Sequence, residues 1–168
     1  MRSRKGFTLV ELIVIIAILA IVGTIAGLSL SSISSAQTRK AVGEIDALLS
    51  ACKISSMSRT GSSVLKLYRD GDGRVRCDLL CDGAAEDSAD LPSRITVEYF
   101  TDADPGAAID VSRPLCLSFV RDTGAFMPLS EVDGNTATGS CTSIRISSGA
   151  STGCVTLVPS TGSHSAGG

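Results

Sequence analysis

The sequence has no tryptophan, and aromatic residues make up only 4% of its 168 positions. A surface that stacks bases or sugars needs flat side chains, so nucleic-acid and carbohydrate platforms are both disfavoured. Charge does not reverse that: the formal net charge is −2, which gives no strong pull toward phosphate. Histidine is nearly absent. The single one, His164, lies in a stretch from Pro159 onward that has no apolar pattern and is expected to be disordered. No Ser-His-Asp or Cys-His constellation can then be assembled on an ordered scaffold. The Gly-x-x-x-x-Gly-Lys-Ser/Thr phosphate loop is also missing. These absences argue against an enzyme and against a cofactor.

Metal sites are equally poorly supplied. Asp70-Gly71-Asp72-Gly73 invites calcium, but the further ligands and the closing Glu of a calcium loop are missing, and Asp-Gly pairs are ordinary hairpin turns. Asp102-Ala103-Asp104-Pro105-Gly106 reads the same way. Cys77-Asp78-Leu79-Leu80-Cys81 lacks the second close cysteine pair a zinc site needs, and it is not the C-x-x-C redox spacing. No metal is expected.

What the sequence does have is cysteine and one long apolar run. The six cysteines are Cys52, Cys77, Cys81, Cys116, Cys141 and Cys154, all downstream of that run. An even count in an exported domain points to disulfides, of undetermined connectivity and with a local Cys77–Cys81 bridge among the options; buried free thiols, packing as small hydrophobes, are the alternative. From Phe7 to Leu30 the chain is apolar or small except for Glu11 and scattered Thr and Ser. At about 1.5 Å per residue this gives roughly 36 Å of helix, enough to cross a bilayer. Arg2, Arg4 and Lys5 precede the run and the next basic residue is Arg39, so the N-terminus is expected on the cytoplasmic side and the rest outside.

A conventional secretory signal would have a shorter apolar core ahead of a small-residue cleavage site, for which Ser34-Ser35-Ala36 is the available position. A plain anchor fits the length but leaves Glu11 unexplained, since a carboxylate at the centre of a spanning helix costs about 2.5–3.5 kcal/mol. The stretch Lys5-Gly6-Phe7-Thr8-Leu9-Val10-Glu11 resembles the processing site of type IV prepilins and pseudopilins. The resemblance implies cleavage between Gly6 and Phe7 by a prepilin peptidase, which also methylates the new amino group of Phe7. It implies that Glu11 meets the amino-terminal charge of a neighbouring subunit. It further implies other pilin or pseudopilin subunits, an inner-membrane assembly platform with its ATPase, and membrane lipid as partners. Gly23 and Gly27 form a G-x-x-x-G, which either lets helices approach closely or weakens the helix locally. Many pilins have a proline near here, where this chain has Leu28.

Beyond the run, no proline interrupts residues 29–38, and Ala41, Ile45, Leu48 and Cys52 fall on one helical face. Arg59 and Gly61 read as the stop. After Gly61 the period changes to two. Strands are expected at 64–69, 74–77, 94–100, 114–120, 125–127, 143–147 and 154–158, with Asp82 to Asp90 as a surface loop. The expected fold is α+β and type IV pilin-like: one long N-terminal helix, half membrane and half amphipathic, covering an antiparallel β-sheet domain. The expected segments are a cytoplasmic leader at 1–6, a membrane and filament-core helix at 7–30, its amphipathic continuation at 31–60, a β-rich domain at 61–158 and a tail at 159–168. The order of elements from about residue 45 to 158 also resembles the minor pseudopilins of the H group and the FimT-like minor pilins. The functional expectation is a structural subunit, anchored by one pass in the cytoplasmic membrane, with its C-terminal domain exported. The alternative is a membrane-anchored binding module, an adhesin or a DNA-contacting tip subunit.

Overall fold

The computed structural model describes residues 9–104, 109–111 and 113–167, with the side chains of 23–32 and 109 outside that description. The chain divides into two compact units, residues 1–33 and 34–168. One helix, α1 (Leu9–Ser58), contributes to both. It is continuous through Gly23, Gly27 and Leu28, so no melted segment replaces the missing proline.

In the first unit, every described side chain from Leu9 to Val22 is exposed. Among the described residues no helix is long and apolar enough to cross a membrane. The expected spanning segment, 7–30, lies partly outside the described residues.

In the second unit the described residues build nine strands in two antiparallel sheets. The first sheet holds β1 (Ser63–Arg69), β2 (Val75–Cys81), β3 (Ala84–Asp90) and β6 (Leu115–Leu117), in the order β3-β2-β1-β6. The second holds β4 (Thr96–Thr101), β5 (Ile109–Asp110), β7 (Cys141–Ser148), β8 (Ser151–Val158) and β9 (Ser163–Gly167), in the order β5-β4-β7-β8-β9. Alternation sets which side chains turn inward: Leu65 and Leu67 from β1, Val75 and Leu79 from β2, Val97 and Tyr99 from β4, Ile144 and Ile146 from β7. The α1 residues of this unit cover them with Ala41, Val42, Ile45, Leu48, Leu49 and Cys52, and all belong to one buried cluster. Each fully buried Leu, Ile or Val contributes about 1.5–3 kcal/mol, so this stripe fixes the helix on the sheets. The expected stripe is therefore present, widened by Val42 and Leu49. Gly153 of β8 lets the helix come close: a Cβ there would lie 2.7 Å from Val42 Cγ2.

The expected α+β arrangement, a helix on an antiparallel β domain, is present, with the strands divided between two sheets. Two expectations need correction. Asp82 to Asp90 is not a surface loop: β3 pairs with β2 from Arg76↔Asp90 to Cys81↔Ala84, with a bulge between Leu79 and Leu80. Its side chains are exposed apart from Ala89, so backbone pairing forms the strand without any apolar alternation. The tail from Pro159 is not disordered either. Thr161 and Gly162 close a turn on Val158, and β9 then pairs with β8 from Val158↔Ser163 to Cys154↔Gly167.

That turn depends on one glycine. Gly162 has φ +61°, and a Cβ there would collide with the carbonyl oxygen of Gly124. Positive φ strains any L side chain, and here the obstacle is backbone, which cannot swing aside. Gly162→Ala should destabilise the domain by about 2–4 kcal/mol, read as a lowered thermal midpoint of the full chain in detergent. An unchanged midpoint would show that the tail is not seated as described.

Candidate functional site

The described part of α1 opens in an apolar setting. Glu11 lies in its first described turn. Around it Leu9, Val10, Leu12, Ile13, Ile15 and Ile16 are all exposed. A contiguous apolar surface of this kind marks contact with lipid or with other protein. No other acidic residue occurs before Glu44. Gly6 and Phe7 lie outside the described residues.

The family comparison falls on this stretch. Residues 1–27 match the model of the prokaryotic N-terminal methylation motif. The chain carries the type IV prepilin signal. That signal marks structural subunits, pilins and pseudopilins, rather than enzymes. It implies processing by a prepilin peptidase, anchoring in the membrane and assembly at the surface with other pilin subunits. The helix packed on antiparallel sheets agrees with a type IV pilin-like fold. Neither curated proteins nor solved structures give a match.

Among the described residues of the β domain, one polar cluster resembles chemistry. His164, expected in a floppy tail, is held on β9 against α1. Its Nε2 lies 3.0 Å from Ser50 Oγ and 3.8 Å from Asp46 Oδ1. In a catalytic relay the acid and the serine occupy opposite ring nitrogens. Here both face Nε2, while Nδ1 is buried without a partner among the described residues. The cluster cannot relay a proton; it ties β9 to the helix. Lys53 adds to the tie, its Nζ donating to the carbonyl oxygens of Thr161 and Gly162 at 3.1 and 3.0 Å. These contacts escape a reading of the sequence because small polar residues carry no periodicity. The one signal for them is the Thr161-Gly162 turn directly after a strong strand.

The acidic turns are structural. Asp70 Oδ1 accepts from the N–H groups of Asp72 and Arg74 at 3.0 and 2.9 Å, and Gly73 sits at φ +76°. Asp102 Oδ1 accepts from the Ser140 N–H at 2.6 Å. Among the described residues no group of three His, Cys, Asp or Glu side chains could hold a metal ion.

All six cysteines are free thiols. Cys77 and Cys81 lie four residues apart on β2, about 13 Å along a strand, whereas a disulfide needs Cα atoms within about 7 Å. The local bridge is thus ruled out by the strand itself, and the disulfide expectation finds no support in the structure. Burial instead suppresses the thiolates. The Cys52 thiol, desolvated in the core, is pushed up to about 12, and so is that of Cys141; Cys77 and Cys116 are raised for the same reason. Inert thiols of this kind pack as hydrophobes. In the native chain, labelling should reach the half-buried Cys81 and Cys154 first. Denaturation without reductant should then release all six. A count below six in the denatured chain would contradict the free-thiol structure.

Proposed function

We propose that the chain is a minor structural subunit of a type IV filament system. It crosses the cytoplasmic membrane once over residues 7–30, with residues 1–6 inside and the β domain exported. The peptidase cuts between Gly6 and Phe7 and methylates Phe7. An inner-membrane platform with its ATPase then lifts the processed subunit into a filament. The match of residues 1–27 to the methylation motif carries this reading. It coincides with a basic leader, a Gly-Phe junction and a carboxylate four residues beyond it.

Glu11 has two tasks in this scheme. Its charge opposes burial in lipid, so the isolated subunit is penalised. In the filament it pairs with the amino-terminal charge of a neighbour, which favours assembly and sets axial register. Minor status is supported by the order of elements, helix then small β domain with a late Gly-rich hairpin at Gly149, as in the H-group pseudopilins. Shearing cells that express the system tests the reading. The processed chain should appear in the sheared filament fraction. Complete retention with the membranes would leave a plain anchor.

A further inference from the structure

The second unit begins at Ser34, four residues past Leu30, where the proposed membrane segment ends. Four residues span at most about 14 Å. Chain connectivity alone therefore keeps this end of the β domain within reach of the lipid headgroups. The β7–β8 turn shares that end: a Cβ on Gly149 would lie 3.2 Å from Ser34 Oγ, and Ser148 Oγ donates to Gln37 Oε1 at 3.3 Å. Arg94 belongs there too, two residues before Thr96, whose partner on β7 is Ser147.

A cleft of about 480 Å³ opens at this end, lined from α1, β8 and β9. Ser35, Arg39, Ser151 and Thr152 supply its polar side chains, and no acidic residue lines it. Thr38, also in the lining, is only 2% exposed, and its hydroxyl has no hydrogen-bond partner among the described residues. A guanidinium beside hydroxyl donors, with no carboxylate, is a set that suits a phosphodiester.

The charges around the cleft point the same way. Arg39, Lys40 and Arg94 are exposed, and none of them forms an ion pair among the described residues. Side chains on a helix lean toward its N-terminus, which carries Arg39 and Lys40 toward Ser34. Arg94 is held at φ +68°, which glycine adopts freely and arginine does not. The nearby β1–β2 turn is close to balanced, with Asp70, Asp72 and Asp110 against Arg69 and Arg74. The far end of the domain, where α1 stops, is acidic: Asp82, Asp122, Glu131 and Asp133 stand there against Arg59 and Arg121.

We infer that, while the subunit is still in the membrane, the cleft at Arg39 holds the headgroup phosphate of an anionic phospholipid, with Lys40 and Arg94 as flanking charges. An anionic headgroup is preferred over a zwitterionic one because it brings no cation of its own to oppose Arg39. Attraction at this end and repulsion at the acidic end both favour the cleft lying on the lipid surface. The inference rests on the reading of residues 7–30 as the membrane segment, and it adds a lipid preference that belongs to the β domain.

The test is native mass spectrometry of the full-length chain in detergent, with phosphatidylglycerol, phosphatidylcholine or glycerol phosphate added in parallel. Phosphatidylglycerol should bind at least about fivefold more tightly than phosphatidylcholine, since one basic side chain at an anionic surface is worth about that factor. Glycerol phosphate, with the charge but no acyl chains, should bind far more weakly than either. Arg39→Gln should lower phosphatidylglycerol affinity about fivefold. Arg94→Gly should lower it as well while raising the thermal midpoint, because glycine relaxes the backbone; a gain in stability with a loss of binding separates charge from damage to the fold. Arg121→Gln, the same loss of charge at the far end, should change nothing. Equal binding of the two lipids, or an Arg39→Gln chain that binds phosphatidylglycerol like the wild type, would overturn the inference. Glycerol phosphate binding as tightly as phosphatidylglycerol would overturn the lipid as the occupant. Carbonate washing of the membranes reports separately on the span. A chain that resists the wash but whose lipid binding ignores Arg39 refutes the cleft alone. A chain that washes off, yet loses phosphatidylglycerol with Arg39→Gln, refutes the span alone.

Discussion

Replacing Gly6 by glutamate should abolish leader removal, leaving the full-length chain in the membrane and none in filaments. The junction is a place where the peptidase must bring its own groups close to the substrate backbone, and glycine leaves that space open. Gly6→Ala adds one methyl group and should be partly processed. Gly6→Glu adds bulk and a charge and should not be processed at all. The consequence reaches beyond cleavage. An uncut chain keeps Arg2, Arg4 and Lys5 ahead of the apolar helix, and three cations cannot enter an apolar filament core without a cost of several kcal/mol. Electrophoretic mobility of the membrane-extracted protein, compared with the wild type, checks this. Normal processing of the glutamate variant would place the scissile bond elsewhere.

The second large effect is expected at Glu11. Glu11→Val makes the segment more apolar and does not touch the Gly6–Phe7 bond, so insertion and cleavage should be intact. Assembly should fail, because the neighbour's amino-terminal charge then enters an apolar core with nothing to meet it. Removing one partner of a buried pair costs about 3–5 kcal/mol, which lowers an assembly equilibrium by a factor of about 100 or more. Glu11→Gln should be milder, since the amide oxygen still accepts a hydrogen bond. The measurement is the ratio of processed protein in sheared filaments to that in membranes. A normal ratio for the valine variant would remove the pairing role, unless the wild-type subunit sits only at the filament tip, with no neighbour above to pair with. Locating the wild-type subunit in the filament therefore accompanies the measurement.

Much of the fold is legible in the amino-acid sequence. The stripe Ala41, Ile45, Leu48 and Cys52 marks a helix face because each step is three or four residues, and all four are buried. The hairpin around Asp70–Gly73 is readable because alternation on either side meets a turn with a fixed chemistry. The prepilin signal is readable because it is local, a string of neighbouring residues that a peptidase must recognise without the fold. β3 and β9 are not legible. Both are held by backbone pairing at sheet edges, with side chains too exposed or too small to alternate. The division into two sheets is hidden for a related reason: β6 returns to pair with β1 from far along the chain, and pairing over such separations leaves no periodic trace. The cysteines mislead because their number suggests cross-links, whereas the structure holds them as thiols, four of them buried and two spaced apart along β2.

The central claim is that the chain is made as a prepilin and matured at one bond. Intact-mass and N-terminal peptide spectrometry of the protein extracted from membranes that contain the peptidase tests it directly. The account predicts a chain that has lost residues 1–6, begins at Phe7 and carries one added methyl group on its amino terminus. A chain that begins at Met1, or one that begins near Gln37 as after secretory-signal cleavage, would contradict it.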